Sequence, residues 1–386
     1  MTTNGETGGE RVHVFGETPE SLSEHVAAWG MPRFRARQVL EWVYQRGVID
    51  PALMTNLSKA DRALLSERLL FLSGCVVRHQ RATDGVQKLL VSWPARQQTG
   101  REVGPESGGV RLPVSGVVDD GAMQTECVMI PSENESGGVR KTACISSQAG
   151  CPVGCRFCAS GLEGLEANLS TGQIVEQVWQ LSRMEGVGRI SNVVFMGMGE
   201  PLSNLAAVTS AIRTLAADWG LGIGARKITV STVGLPAQIR RLVSLELPIT
   251  LAISLHAPND ELRRRLIPWA EYVTVEQLLD AGRFYFDQTG REVTLEYILL
   301  GGENDREEHA RELVVVAKRL RSNVNLIRYN EVEGLPFKRP AKADVLRFQE
   351  VLRDAGVNVH IRASRGRDIA AACGQLRYES RGGVSS

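Results

Sequence analysis

At 386 residues the chain can hold one large domain with appendages, or two domains, and its sparse aromatics (5%) suit a helix-rich α/β enzyme rather than an all-β sandwich. With 45 Lys and Arg against 44 Asp and Glu, net charge neither demands nor excludes a nucleic-acid partner, so any RNA contact must come from local basic patches. Seven cysteines, an odd number with three crowded together, argue against a secreted disulfide scaffold and for a reducing compartment.

Residues 1–13 read as a disordered lead. Met1–Glu10 is polar and glycine-rich with no apolar run of signal-peptide length. No stretch approaches a membrane span, and a cytoplasmic location without membrane contact is expected. Residues 14–75 form a helical unit. Ser21-Leu-Ser-Glu resembles a capping box, a second helix carries Val39, Leu40, Trp42 and Val43, and a third follows Asn56-Leu-Ser-Lys. Arg33, Arg35 and Arg37 around Phe34 are either a solvated charged helix start or a phosphate-contacting patch.

Residues 76–140 read as a β-rich connector, with strands at Val76–His79, Lys88–Trp93 and Glu126–Pro131. Pro94–Gly121 and Ser132–Gly138 are rich in loop-forming residues. Cys75 and Cys127, in apolar surroundings, read as buried, inert thiols.

From Lys141 to Ala363 a rhythm appears. Strand patterns at Ala143–Ser146, Asn192–Met196, Lys227–Ser231, Ile249–Leu255, Val293–Leu299 and Val324–Tyr329 alternate with helical patterns at Thr171–Met184, Leu205–Asp218, Pro236–Ser244, Val275–Thr289 and Glu307–Arg321. This alternation predicts βαβ units on a parallel sheet. Six units fall short of a closed eight-fold barrel, so the fold class is α/β, an open partial (βα)6 barrel with chemistry at the carboxyl ends of its strands. A last helix (Ala343–Ala355) and strand (Asn358–Ala363) lead into residues 364–386, a C-terminal segment holding Cys373.

The chemistry concentrates in Lys141–Gly161. Cys151, Cys155 and Cys158 read C-x3-C-x-F-C, and Cys144 lies upstream at the start of a short strand. Three thiolates leave a four-coordinate site one ligand short, and an iron–sulfur cube so held keeps one iron open to a small molecule. Zinc would want a fourth ligand, which neither a second cysteine pair nor the histidines supply. Gly197-Met-Gly-Glu-Pro follows the second strand, where glycine lets backbone approach a ligand and Glu200 offers acceptors to an ammonium group. Ser231, Ser254, His256 and Asn330 stand at later strand ends. Each alone is as well explained by a turn or a satisfied histidine, and the shared rim favours ligand contact.

The cluster motif and glycine turn resemble the radical S-adenosylmethionine (SAM) superfamily, where the open iron chelates SAM and an electron breaks it to a 5′-deoxyadenosyl radical. Five runs narrow the resemblance: Cys-Ile-Ser-Ser-Gln-x-Gly-Cys, Gly-Met-Gly-Glu-Pro, Ile-Ser-Leu-His-Ala-Pro-Asn-Asp, Asn-Glu-Val-Glu-Gly-Leu-Pro-Phe and Arg-Gly-x-Asp-Ile-x-Ala-Ala-Cys-Gly-Gln-Leu. In this order over residues 14–377 they are similar to the RlmN/Cfr family of RNA adenine methyltransferases. The terminal cysteine motif discriminates best, because most radical SAM enzymes lack it.

The resemblance implies that Cys151, Cys155 and Cys158 hold a [4Fe–4S] cluster, and that Gly199, Glu200, Ser231, Ser254, Leu255, His256 and Asn330 bind SAM. It makes Cys373 the methyl carrier, Cys144 its resolving partner through a transient disulfide, and Glu126 the proton acceptor; the plain alternative for Glu126 is an ordinary exposed strand residue. The implied target is C2 of adenosine 2503 in 23S rRNA, with adenosine 37 of tRNA a second candidate. A reduced flavodoxin- or ferredoxin-type donor and a monomeric chain complete the expectation. Adenine C2 is electron-poor and does not attack a SAM methyl directly. A thiolate first accepts a methyl, and a radical on that methyl then adds to the ring.

The implied basic surface includes Arg33, Arg35 and Arg37, the N-terminal unit being the family's accessory RNA-binding domain, together with Arg362, Arg365, Arg367 and Arg377 around Cys373. C8 methylation is the nearest rival. C2 is preferred as the commoner housekeeping activity, although Arg328, where a proline is usual, is a departure. A radical SAM enzyme with a protein substrate would leave Cys144 and Cys373 unexplained, and a three-cysteine open site with a SAM-type rim argues against an electron-carrier or structural iron–sulfur protein.

Overall fold

The computed structural model describes residues 11–93, 122–133 and 137–376, so the expectations for residues 1–10, Pro94–Gly121 and Arg377 lie outside the described residues. Helix starts follow the capping chemistry of the sequence. Helix α1 (Pro19–Ala28) is capped by Thr18, whose side chain and that of Ser21 bond reciprocally to backbone. The box therefore begins three residues before the Ser21 expected. Pro19 explains this, because it needs no hydrogen-bond acceptor at the first helical position. Helix α2 (Arg35–Leu40) continues into a single π turn, and α3 (Lys59–Arg68) is capped by Ser58. Val12–His13, expected within the disordered lead, forms a short strand parallel to Leu69–Leu70.

The main sheet has ten strands among the described residues. They are β1 (Cys75–Arg81), β2 (Gln87–Trp93), β3 (Met123–Glu133), β4 (Val139–Cys144), β5 (Asn192–Phe195), β6 (Ile228–Thr232), β7 (Thr250–Ser254), β8 (Val293–Leu299), β9 (Ser322–Arg328) and β10 (Val359–Arg362). Each pairs with its sequence neighbour. The links β1 to β4 are antiparallel and those from β4 to β10 parallel. The six barrel strands expected are present, and the last strand expected, at Asn358–Ala363, is β10, which pairs parallel to β9 as a seventh. Strands of the 76–140 region form no separate layer; they extend the barrel's own sheet. Ser132 and Glu133, the first two residues of the expected Ser132–Gly138 loop, are also strand, with Glu133 paired to Val139, while residues 134–136 lie outside the described residues.

Helices α4 (Thr171–Arg183), α5 (Leu205–Ala216), α6 (Pro236–Leu242), α7 (Asp260–Leu266), α8 (Val275–Thr289), α9 (Glu307–Lys318) and α10 (Lys342–Asp354) fill the crossovers. Capping boxes Ser170–Gln173 and Thr274–Gln277 start α4 and α8, where Ser/Thr three residues before Gln satisfies two free donors. One apolar core runs from Val14 to Val359 and joins the N-terminal helices to the barrel. Cys127 is buried as expected, but Cys75 is exposed, because among the described residues β1 is the sheet edge and none of them covers that face.

Glu176 of α4 fastens the two parts. Fully buried, it accepts from Ser73 N–H (2.9 Å), Ser73 Oγ (2.7 Å), Gly74 N–H (2.8 Å) and Gln180 Nε2 (2.7 Å), and lies 3.0 Å from His13 Nε2. Truncation leaves several buried donors unpaired at once. Glu176→Ala is expected to cost on the order of 3 kcal/mol and to lower the thermal midpoint, while Glu176→Gln costs less. An unchanged midpoint in Glu176→Ala, measured by calorimetry, would show that this node does not hold the two parts together.

Candidate active site

Parallel order puts the carboxyl ends of β4–β10 on one rim. Cys144 is the last residue of β4, not the start of a strand, so the cysteine-rich loop begins at that rim. Cys151, Cys155 and Cys158 line one cavity of about 150 Å³ together with Gly199, Glu200, Ser231, Ser254, His256, Glu296 and Cys373. Burial pushes the Cys151 thiol up to about 12 and raises Cys155 and Cys158, and neighbouring thiols add to the effect. Such sulfurs lose their protons when a metal takes the charge. Among the described residues no three His, Cys, Asp or Glu side chains close on a single metal ion. A ring of three thiols about a cavity fits a multi-iron cluster, which takes cysteine ligands on separate irons.

The glycine turn is built against the same loop. A Cβ on Gly197 would stand 2.7 Å from Ile145 backbone, and Gly199 holds φ +99° with Gln148 Cβ 2.6 Å from where its own would be. Both positions therefore exclude other residues. Met198 carbonyl accepts from Ser147 N–H at 2.9 Å, and Glu200 N–H donates to Gln148 Oε1 at 2.7 Å. Glu200 Oε1 accepts from Leu202 N–H (2.9 Å) and Oε2 from Val233 N–H (2.7 Å). Burial pushes its carboxyl up to about 7 against these hydrogen bonds.

Ser231 and Ser254 hydroxyls lie 3.4 Å apart at the cavity wall. His256 Nδ1 accepts from Ile298 N–H at 3.1 Å, which leaves the proton on Nε2, and burial with Arg263 nearby holds its basicity down to about 3. It is a neutral donor. Leu255 does not line the cavity. Its side chain is core, and its carbonyl accepts from Arg263. Asn330 lines the neighbouring cavity instead, where Arg339 donates to its Oδ1 at 2.8 Å and leaves the amide N–H groups for other partners.

That second cavity, of about 300 Å³, holds both Cys144 and Cys373 as free thiols, with Arg140, Arg362 and Arg365. Cys373 thus lines both cavities. Its segment is tied to the cluster loop by Ala159 N–H to the Gly374 carbonyl (2.8 Å) and by Ser160 Oγ to the Leu376 carbonyl (2.5 Å). Burial pushes Cys144 up to about 12, Cys373 adds to this, and Arg362 opposes it.

Arg362, expected on a basic surface, instead points inward, 3.5 Å from Glu296 Oε2 and 3.2 Å from Met196 Sδ. Arg35 is also engaged, with Asp61 at 3.2 Å and its guanidinium 5.0 Å from the Phe34 ring centre. Arg33, Phe34 and Arg37 are exposed. Glu126 is not an exposed strand residue. It is buried, 2.7 Å from Lys88 Nζ, in a third cavity shared with Ala370 and Gln375, on either side of Cys373 in the chain.

Two groups escaped the sequence reading. Arg263, fully buried, donates to the carbonyls of Leu255 (3.2 Å), Val273 (3.2 Å) and Val233 (2.6 Å) and so braces two rim loops beneath the cluster cysteines. Its place between Leu262 and Leu266 on the buried face of α7 was the available signal. Glu296 interrupts the apolar run of β8, and a carboxylate in a strand buried on both faces marks a site.

Two family models match the chain: the radical SAM superfamily over residues 145–314, and the ribosomal RNA large subunit methyltransferase N-terminal domain over residues 12–70. A probable dual-specificity RNA methyltransferase RlmN of Gloeobacter violaceus is 44% identical, covering 96% of each chain. A protein of the same name from Rhodopirellula baltica is 40% identical, covering 100% of this chain and 96% of its own. The crystal structure of a radical SAM methyltransferase from Sphaerobacter thermophilus matches with TM-score 0.83 at 39% identity, over 95% of this chain and 99% of that one. The radical SAM superfamily uses a [4Fe–4S] cluster and SAM, and the thiols and rim described above suit both.

A cation placed against Glu200 must displace its proton. Affinity for a cationic ligand is therefore expected to rise as pH climbs through about 7 and to lose that dependence in Glu200→Gln. Calorimetric titration with SAM checks this; the same pH slope in Glu200→Gln would rule Glu200 out as its source.

Proposed function

Because the chain belongs to the RlmN family of radical SAM RNA methyltransferases, we propose that it methylates C2 of adenosine 2503 in 23S rRNA through an S-methylcysteine on Cys373. The observation that carries the mechanism is the position of Cys373. It borders the cavity of the three cluster cysteines on one side and, on the other, the cavity it shares with Cys144.

Cys151, Cys155 and Cys158 would hold the cluster, which together with SAM supplies a 5′-deoxyadenosyl radical. Glu200, with acceptor oxygens fixed by two backbone N–H groups, suits the SAM ammonium, and Ser231, Ser254 and neutral His256 offer hydroxyls and an N–H around it. Cys373 accepts a methyl as its thiolate displaces it from a sulfonium. The carried carbon, once stripped of one hydrogen, bonds to adenine C2, so protein and RNA are joined through a methylene, and the one unpaired electron of that adduct would return to the cluster. Glu126 takes the C2 proton. Cys144 sulfur, as its thiolate, then attacks Cys373 sulfur, forming S–S and breaking S–C; the bonding pair leaves with the methylene carbon, which takes up a proton to become the methyl and frees the base. The adenine must leave its stack to reach this depth.

Arg140 and Arg365 at the second cavity, with Arg33 and Arg37 on the N-terminal unit, are the candidate phosphate contacts. The reading includes tRNA adenosine 37 as a second substrate, a flavodoxin- or ferredoxin-type donor and a cytoplasmic setting. Among the described residues no helix is long and apolar enough to cross a membrane.

Cys373→Ala is expected to abolish methylation while the cluster's visible absorption is unchanged. Cys144→Ala is expected to trap a covalent protein–RNA adduct that denaturing gels resolve. Normal methylation by either variant ends the mechanism. Mass spectrometry of nuclease-digested 23S rRNA decides the position: 2-methyladenosine is expected, and 8-methyladenosine would overturn the C2 reading.

A further inference from the structure

Strands β2 and β3 run antiparallel with Lys88 opposite Val128 and Leu90 opposite Glu126. Lys88 and Glu126 are therefore diagonal neighbours on one face of the sheet. Lys88 Nζ stands 2.7 Å from Glu126 Oε1, and both side chains are more than nine-tenths buried. The same ammonium donates to the Ala370 carbonyl at 3.2 Å, three residues before Cys373. Ala370 holds φ +48°, a left-handed conformation unfavourable for a residue with a Cβ. The turn between β1 and β2 adds two ties to the same segment. Thr83 N–H donates to Asp368 and Gly366 N–H to Asp84, each at 2.9 Å.

Burying two opposite charges seldom stabilises more than an apolar pair of similar volume would. Fold stability therefore does not account for Lys88. We propose that Lys88 is the positioning residue of the proton-transfer step, holding Glu126 as an aimed carboxylate and tying it to the backbone of the methyl-carrier segment. The inference rests on Glu126 as proton acceptor. In that step the C2–H bond breaks, the proton passes to a Glu126 oxygen, and the bonding pair stays in the purine. Among the described residues, the cavity beside Glu126 is also lined by the carboxylates of Glu331 and Glu333 and the Gln375 amide, and the Met198 sulfur accepts the Glu126 N–H at 3.4 Å. Two of these are negative. Removing the Lys88 ammonium takes away a charge that favours the ionised carboxyl, while burial and both carboxylates work against it, so Glu126 is less often the free carboxylate at neutral pH.

The experiment uses the full-length enzyme with its cluster, SAM and an RNA transcript bearing the target adenosine. Release of 5′-deoxyadenosine and formation of the covalent adduct are followed first, then the rate at which formed adduct resolves across pH. Lys88→Gln keeps a donor for Ala370 but removes the charge. It is expected to form 5′-deoxyadenosine and adduct normally, and to resolve the adduct about 100-fold more slowly at neutral pH, the usual scale of a lost general base. The deficit should shrink as pH rises, Lys88→Arg should restore most of the rate, and Glu126→Gln should stall at every pH.

Wild-type resolution in Lys88→Gln overturns the proposal, and so does a slowing independent of pH, which would make Lys88 a structural residue only. Normal resolution in Glu126→Gln would show that the reading of Glu126 had failed. Because the rate is read on adduct already formed, partial misfolding lowers its amount and leaves the rate readable. Lys88→Met, read the same way, serves if Lys88→Gln yields no adduct.

Discussion

The hydrogen bond from Ala159 N–H to the Gly374 carbonyl joins the first loop of the barrel to the last described segment of the chain. With Ser160 holding the Leu376 carbonyl, it draws the two ends of the parallel sheet's sequence together over the rim. Cys373 can stand beside the cluster cysteines only while this junction holds. The apolar cluster of Ala82, Val86, Val128, Cys144, Met198, Ala371 and Leu376 packs under the same segment, so the antiparallel extension of the sheet supports the carrier from behind. This gives a physical reason for β1–β3 to continue the barrel sheet. They form the wall against which a segment with little regular structure of its own is pressed.

The site also concentrates buried charge where apolar packing would have served stability better. Arg263 sits under the cluster loop with three carbonyls as partners. Glu296 and Arg362 pair between the two cavities. Asn325, opposite Glu296 in the β8–β9 register, donates to Glu296 Oε1 at 3.0 Å. Among the described residues, Glu296 Oε2 has no hydrogen-bond partner of good geometry. Held by Glu296 and by both thiols against the opposing effect of burial, the Arg362 guanidinium keeps its charge firmly. Each group fixes a loop or a neighbouring charge at the rim, which a hydrophobic side chain cannot do.

Much of this was legible in the sequence, for reasons that differ by element. The βα rhythm gave strands and helices to within a few residues, because each half of a βαβ unit carries its own periodicity, and β8 and α8 agree to the residue. The cluster motif and glycine turn were legible because their chemistry admits few substitutes. Long-range packing was not. Cys75 looked buried because Val76 and Val77 follow it, but a sheet edge is a property of topology. Arg362 looked like an RNA contact because arginines cluster around Cys373, whereas its partner Glu296 lies 66 residues earlier in sequence. The plain alternative for Glu126, an exposed strand residue, fails for the same reason: Lys88 reaches it from a neighbouring strand. Family resemblance supplied residue roles, while only the structure shows which of those residues share a cavity.

Two thiols facing one cavity invite a disulfide before any substrate arrives, and the surroundings of Cys144 work against it. A thiol attacks sulfur as its thiolate. Burial pushes Cys144 up to about 12, and the proximity of Cys373 pushes in the same direction, so little thiolate exists near neutral pH. Arg362 opposes both, but does not overcome them. On the proposed chemistry this ordering matters. Cys373 must stay reduced through methyl transfer and carbon–carbon bond formation, and Cys144 must act only afterwards. A nucleophile kept protonated by apolar packing, beside a cation that favours its ionised form, is suited to acting late. Opening the second cavity to a polar nucleotide would relieve part of the burial while leaving Arg362 in place, so the balance shifts toward the thiolate when the substrate is present.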